Sequence, residues 1–338
     1  MQYCGLDLGK KSSRFCVMDA KRAIVCEGNV RNRFVELQKV FAQLPATRIA
    51  IEASTKAFWI ADRLRELGHE PVVVDPGRTK AIGAALIKHD KLDARVLATL
   101  CAADVLAKVD QPSEQQRMAR MPVVVRDSLV RCRVRLALMV RSILDSEGID
   151  FPRCKLDHFA DRAREEAQAA PEALRDAIEP ALAAIRDLSE RIEECSRQLV
   201  ASVSEDDDAQ LLMTAPGVGP VTAACFLLAV RDPSRFDSGR QVGTYLGLVP
   251  SLYQSGQTNR RGRITKHGNR QARWALTMAA NSLLRSRSPS ALRDWGRGLV
   301  ERIGRKKAVV ALARKLSSVL WAMWKNRTVF EPRIAVAA

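Results

Sequence analysis

Apolar residues are arranged differently in three parts of the chain. Up to about residue 110, short apolar runs are separated by turn residues. Gln2–Leu8 is an apolar run ending at Asp7-Leu8-Gly9, which predicts a strand. Arg14–Asp19 and Ala23–Gly28 predict two more strands, joined by a tight turn at Ala20-Lys21-Arg22. Arg48–Ala53 predicts a fourth. A helix follows, with Ser54 as its N-cap and Gly68 just past its end. Glu70–Asp75 predicts a fifth strand, closed by Pro76-Gly77, and a helix runs from Lys91 to about Ala107. Three consecutive strands followed by strand–helix alternation predict an α/β domain over 1–110, a mixed sheet flanked by helices.

From 111 to 205 the period becomes helical. Val125, Leu129, Cys132, Leu136, Met139 and Ile143 alternate steps of four and three, the spacing of a coiled-coil seam. A second seam has Ile178, Ile185, Ile192 and Leu199 at spacing seven, with Leu174, Ala181, Leu188 and Cys195 beside it. Pro180 is expected to start or kink that helix. Residues 148–170 read as polar and irregular. The two seams predict a helical connector, either a hairpin within one chain or arms that pair with another subunit. From 206 to 338 the pattern predicts a mainly α domain. It has apolar helices on either side of the turn Ala215-Pro216-Gly217-Val218-Gly219-Pro220, an Arg-rich stretch to Arg263, and helices to about Trp324.

Charge sharpens this division. Residues 240–338 hold 20 of the 55 Lys/Arg and only three of the 38 Asp/Glu, which leaves 35 of each before them. The whole net charge of +17 is therefore confined to the last third. Such a field attracts a polyanion, and nucleic acid is the expected partner. No apolar run is long enough to span a membrane, and the N-terminus enters a strand-like run without the regions of a signal peptide. The eight cysteines form no CxxC pair. They read as small core residues in a reducing cytoplasm, and not as a zinc site.

Four acids stand where a metal site would want them. Asp7 lies in an apolar strand and Glu52 ends another, while Asp90 and Asp93 are three apart at a helix start and share a face. A carboxylate in an apolar strand is costly unless something pairs with it. Hard oxygen ligands drawn from separate elements suit Mg²⁺ or Mn²⁺. Taken singly, each acid also reads as a turn or helix cap.

These residues carry a resemblance. Gly5-Leu6-Asp7-Leu8-Gly9-Lys10, then Ile51-Glu52-Ala53, then Lys88-His89-Asp90-Lys91-Leu92-Asp93-Ala94 resemble the signature of the DEDD transposases of bacterial insertion sequences, the insertion-sequence one-ten family. Thr214–Pro220, Tyr245–Pro250, Gln254-Ser255-Gly256 and Arg261–Asn269 resemble that family's C-terminal transposase domain. The resemblance implies an RNase H/RuvC-like metal-binding catalytic domain over 1–110 and a serine nucleophile at the position of Ser255. It also implies a covalent phosphoserine intermediate and guidance by an element-encoded non-coding RNA. The expected setting is a bacterial cytoplasm, with donor and target DNA and further copies of the chain in a dimer or tetramer.

The local chemistry around Ser255 agrees with that role. Gly256 leaves the backbone open to a phosphate, and Arg260, Arg261, Arg263 and Lys266 follow closely, with Arg270 just beyond. Ser251 is the competing nucleophile. A flexible loop beside a DNA-binding patch is the plainer reading. Gly217 and Gly219 resemble a helix-hairpin-helix turn that offers backbone N–H groups to a phosphate, or form a tight interhelical turn. Arg302, Arg305, Lys306 and Lys307 lead a helix whose other side is apolar. They form a phosphate-facing surface or an ordinary solvated one. Two rival functions remain open: a metal-only RuvC-like structure-selective nuclease, and a non-enzymatic DNA-architectural protein.

Overall fold

Strand β1 (Gln2–Leu8) lies at the centre of a five-stranded sheet, with β2 (Ser12–Met18) and β3 (Ile24–Arg31) on one side. On its other side are β4 (Thr47–Glu52) and β5 (Glu70–Val74), giving the order β3-β2-β1-β4-β5. The computed structural model describes residues 1–77, 90–255 and 258–332, without the side chains of 90–93 and 252–261. The sheet is mixed: β1 is antiparallel to β2 and parallel to β4, and β5 is parallel to β4. A short turn joins β1 to β2, which forces them antiparallel, whereas a crossover returns the chain to β4 in parallel.

Each face of this sheet has its own helical cover. Leu6, Ile49 and Ile51 pack on α1 (Phe34–Phe41) and α2 (Ala57–Glu66) through Leu37, Phe41, Ile60 and Leu64. The opposite face receives α3 (Asp90–Ala102), through Ala50, Val74, Leu97 and Cys101 and through Cys16, Met18, Ala94 and Ala98. Helix α1 adds an element not expected from the sequence reading, with Leu37 and Phe41 buried and Val40 and Leu44 packed beside them. Ser54 does not cap α2. The helix begins at Ala57 behind Lys56, and it is the backbone carbonyl of Ser54 that accepts from Ala57 N–H. Helix α3 stops at Ala102 and not near Ala107. Asp104 takes a left-handed φ of 51°, and Ala107–Val109 then bond to the edge of β5.

The chain divides into two compact units, Met1–Met118 and Ala119–Ala338. Helix α4 (Glu114–Ser146), all but its first residues in the second unit, and α6 (Glu172–Ser204) form an antiparallel hairpin. Arg126 Nε donates to Ser196 Oγ at 2.8 Å and Arg133 Nη1 to Ser189 Oγ at 2.9 Å, so one helix descends as the other ascends. Ile178, Ile185, Ile192 and Leu199 are buried as their spacing predicts. The seam on α4 is rotated from the expected one. Val123, Ala137, Val140 and Leu144 are buried, whereas Val125 and Met139 stay 50% and 44% exposed. Segment 148–170 supplies the reason, because it is not irregular. It contains α5 (Phe159–Glu166), whose Phe159, Ala160 and Ala163 join Phe151 against the Ala137–Leu144 side. Helix α6 also starts earlier than Pro180, at Glu172 behind Pro171, and carries Pro180 in its interior.

The base of the hairpin enters a helical core. Val123, Leu199 and Val203 pack with α7 (Asp207–Met213), α8 (Pro220–Val230) and α10 (Arg270–Arg285). The same core takes in α12 (Arg305–Asn326), with α9 (Gly239–Tyr245) and α11 (Ala291–Ile303) around it. A two-stranded ribbon interrupts the helices: β6 (Pro250–Ser255) pairs antiparallel with β7 (Thr258–Ile264). Among the described residues, no helix is long and apolar enough to cross a membrane.

Candidate active site

Two of the predicted acids end adjacent strands. The parallel ladder of β1 and β4 runs to Leu6 opposite Ile51, and Asp7 and Glu52 are the next residue of each. Side chains alternate along a strand, so Asp7 shares a face with Gly5, and Glu52 with Ala50. That is the face covered by α3, since Gly5 meets Ala94 and Ala98, and Ala50 packs with Leu97 and Cys101. Both carboxylates are therefore on the α3 side at the carboxyl end of the sheet, partly buried.

The direction of α3 follows from its contacts. Near its C-terminus, Cys101 Sγ donates to the Arg48 carbonyl at the start of β4, 3.6 Å away. Near its N-terminus, Ala94 lies against Gly5. The helix thus runs antiparallel to β1 and β4, and its first turn, with Asp90 and Asp93, is the end nearer Asp7 and Glu52. The side chains of Asp90 and Asp93 lie outside the described residues. Among the described residues, no group of three or more His, Cys, Asp or Glu is placed to hold a metal ion. The donor chemistry of Asp7 and Glu52, hard carboxylate oxygens from neighbouring strand ends, fits Mg²⁺ or Mn²⁺.

Arg14 stands directly opposite Asp7 in the β1–β2 ladder, and its guanidinium lies 3.7 Å from Glu27. Arg95 of α3 holds the same Glu27 through two hydrogen bonds of 2.9 and 3.0 Å. This pairing with Glu27 pushes the Arg95 guanidinium above its usual range. The turn after Asp7 is fastened as well: Asn32 Nδ2 donates to the Gly9 carbonyl at 2.8 Å and Lys56 Nζ to that of Lys10 at 3.1 Å. Burial pushes the Cys4 thiol well up and that of Cys101, at the far end of α3, up to about 11, so both stay neutral near pH 7.

Ser255 is the last residue of β6, paired with Thr258 across the two residues Gly256 and Gln257, which lie outside the described residues. Tyr253 pairs with Arg260 and Leu252 with Arg261. Ser251 is engaged at the base of the ribbon, where its Oγ donates to the Arg263 carbonyl at 3.0 Å. That base is held by three features. Gly247 and Gly268 have φ of 67° and 77°, and a Cβ on them would fall 2.2 Å from the His267 carbonyl oxygen and 2.1 Å from that of Tyr245. Arg273 Nη1 donates to the carbonyls of Leu246, His267 and Gly268 at 3.2, 2.6 and 3.1 Å. Burial, and then the nearby Arg270, lower the Arg273 pKa.

The predicted phosphate ligands are dispersed over this unit. Arg263, Lys266 and Arg270 are exposed between β7 and the start of α10. Arg302, Arg305, Lys306 and Lys307 are exposed where α11 ends and α12 begins. The turn between α7 and α8 is more internal. A Cβ on Gly217 would fall 2.6 Å from the Ala279 carbonyl oxygen, so this glycine permits close packing on α10, whereas Gly219, the N-cap of α8, faces open space.

Comparison with known proteins bears on both units. Residues 4–148 match the DEDD transposases of the IS110 type, and residues 209–295 match the family described as Transposase IS116/IS110/IS902. A probable family 20 transposase of Pseudomonas aeruginosa is 30% identical over 97% of this chain and 98% of its own length. The chain belongs to the IS110 family of transposases. The transposase for insertion sequence element IS1328 of Yersinia enterocolitica is 28% identical over 96% of this chain and 97% of its own. A pilin gene-inverting protein of Moraxella bovis is 32% identical over a shorter stretch, 37% of this chain and 39% of its own.

Membership implies that the transposase cuts and rejoins DNA in moving an insertion sequence. Several residues that shape its two units escaped sequence reasoning. Arg14 becomes visible only through the register that sets it across from Asp7. Arg273 looks like one more cation in a basic stretch until its three carbonyl partners are seen. For Gly5 the sequence did hold a signal, a glycine inside an apolar strand, which marks a close approach by another backbone.

Proposed function

We propose that this transposase cuts and rejoins DNA by transesterification through Ser255, with Mg²⁺ held by Asp7, Glu52, Asp90 and Asp93. The observation that carries the metal half is the placement of Asp7 and Glu52 at adjacent strand ends, on the face that receives the N-terminal turn of α3. The mixed order β3-β2-β1-β4-β5 supports the RuvC-like reading of this unit. When bound, the divalent ion supplies charge neutralisation for the scissile phosphate.

The serine Oγ attacks phosphorus as its proton passes to a base or solvent. An Oγ–P bond forms and the bond from phosphorus to the leaving sugar oxygen breaks, and that oxygen takes up a proton. The number of phosphodiester bonds is unchanged. A second sugar hydroxyl therefore reverses the step without a nucleotide cofactor. Arg260, on the partner strand β7, is the charge partner for the attacked phosphate in this reading. The engagement of Ser251 with Arg263 supports Ser255 as the attacking residue. Arg261, Arg263, Lys266, Arg270 and the Arg305–Lys307 cluster serve DNA phosphates. Gly219 does so through the amides at the start of α8, with Gly217 setting the turn. Guidance by an element-encoded RNA and assembly into a dimer or tetramer belong to the same reading and rest on the family.

The deciding experiment mixes protein, DNA bearing the element ends, the flanking RNA and Mg²⁺, and resolves the products on a denaturing gel. The reading expects a protein–DNA adduct that maps to Ser255 and is absent from Ser255→Ala. Mg²⁺-dependent cleavage that persists in Ser255→Ala without an adduct would make the protein a metal-only nuclease.

A further inference from the structure

Helix α10 has an outer face whose apolar centre, Trp274 and Met278, the proposed chemistry does not use. At spacings of three and four it presents Arg270, Trp274, Met278, Asn281 and Arg285. The opposite side, Ala272, Ala275, Leu276, Ala279 and Leu283, is buried in the core, so this face is turned outward. Trp274 is 43% exposed and Met278, one turn further on, 50% exposed, and together they make an apolar patch. Cations stand at both ends. Arg270 is exposed one turn before Trp274, and Arg285 is exposed at the far end. Arg305 reaches the same face from α12, with Nη2 3.4 Å from Asn281 Oδ1.

An exposed indole between guanidiniums has a specific chemical complement. The indole offers a flat π-face, which every nucleobase can stack on whatever its identity. The arginines offer charge-assisted hydrogen bonds to phosphates. From Arg270 to Arg285 the helix rises about 22 Å, long enough for a strand of several nucleotides to lie along it. A base inside a duplex keeps both π-faces covered by its neighbours, so a stack on Trp274 requires an unpaired nucleotide. A protein partner would gain little from this patch, since its apolar part is small and the charges named at its ends are all positive.

We infer that Trp274 is a stacking platform for an unpaired nucleobase, with Arg270, Arg285 and Arg305 holding the phosphates of the same single strand. This rests on the reading that the basic last third binds nucleic acid, and it adds a preference for single strands at a site apart from the Ser255 ribbon. Displaced DNA and looped RNA share this chemistry.

The test uses the full chain and four fluorescent probes at one salt concentration: a DNA and an RNA 12-mer without self-pairing, and a duplex of each. Trp274→Ala is expected to weaken single-strand binding about fivefold to a hundredfold, the range of one base–aromatic stack, with duplex binding unchanged. Trp274→Phe keeps a π-face and is expected to retain most of the affinity. Whichever single strand loses more on Trp274→Ala is the occupant. Equal binding by Trp274→Ala and wild type overturns the stacking site while leaving the nucleic-acid reading intact. An equal loss for duplex and single strand also overturns it, as does a loss in Trp274→Phe as large as that in Trp274→Ala. If the wild type binds none of the probes, the underlying nucleic-acid reading fails first.

Discussion

Gly5 and Ala94 are in contact across the sheet–helix interface, so close that a Cβ on Gly5 would lie 2.0 Å from the Ala94 carbonyl oxygen. Ala94 directly follows Asp93, and Asp7 is two residues beyond Gly5 on the same face. The depth at which α3 sits on β1 therefore sets how near its first turn comes to Asp7. Gly5→Ala cannot be accommodated by moving a flexible side chain, because the two nearest atoms in the way, Ala94 O and Ala98 N, are backbone. The variant is expected to lose about 1–3 kcal/mol of stability, read from thermal unfolding. Its DNA cleavage should fall much further than a stability loss of that size explains. Wild-type cleavage by Gly5→Ala would mean that the seating of α3 is irrelevant to the chemistry.

Asp7→Asn and Glu52→Gln keep side-chain size while removing charge at the two strand ends. Each is expected to abolish strand cleavage, as is EDTA, with re-addition of Mg²⁺ or Mn²⁺ restoring only the wild type. Far-UV circular dichroism should be unchanged. Full cleavage by either variant, or by the wild type in EDTA, would remove the metal from the mechanism.

The hydrogen bond that engages Ser251 separates its expected loss from that of Ser255. The Ser251 hydroxyl is donated to Arg263 at the base of the ribbon, so Ser251→Ala loses one partly exposed hydrogen bond, about 0.5–1.5 kcal/mol, and should still form the adduct. Ser255→Ala should fold, bind DNA and form none. An adduct that survives in Ser255→Ala and disappears in Ser251→Ala would exchange the two roles.

Salt dependence tests where nucleic acid binds. Binding by the whole chain should weaken steeply with salt, each neutralised phosphate contributing a log–log slope of about −0.7 to −0.9. Replacing Arg305, Lys306 and Lys307 together by Ala should flatten that slope. These residues are exposed at the start of α12, so the fold should remain intact. An unchanged slope would place the phosphates elsewhere.

The local pattern of the chain determined its strands, its long helices and the positions of its charge. Each of the five strands of the sheet was visible as a short run: β1, β2 and β4 are apolar because both their faces are covered, whereas the mostly exposed edge strand β3 showed through the tight turn before it. Ile178, Ile185, Ile192 and Leu199 declared their buried side because a helix repeats its face nearly every seven residues. Asp7 and Glu52 stood out as carboxylates at the ends of such runs. The ribbon that carries Ser255 was missed, because the Arg-rich sequence of β7 leaves no apolar alternation to read. Tertiary structure alone decided which faces meet. Val125 and Met139 fit a seam by spacing yet lie open, because Phe151 and α5 cover the neighbouring stripe. Strand pairing likewise put Asp7 beside Glu52 and across from Arg14, and packing put α3 with its first turn toward them. These contacts join residues far apart in the chain. Periodicity reports only which side of an element is buried, whereas register and packing choose what it is buried against.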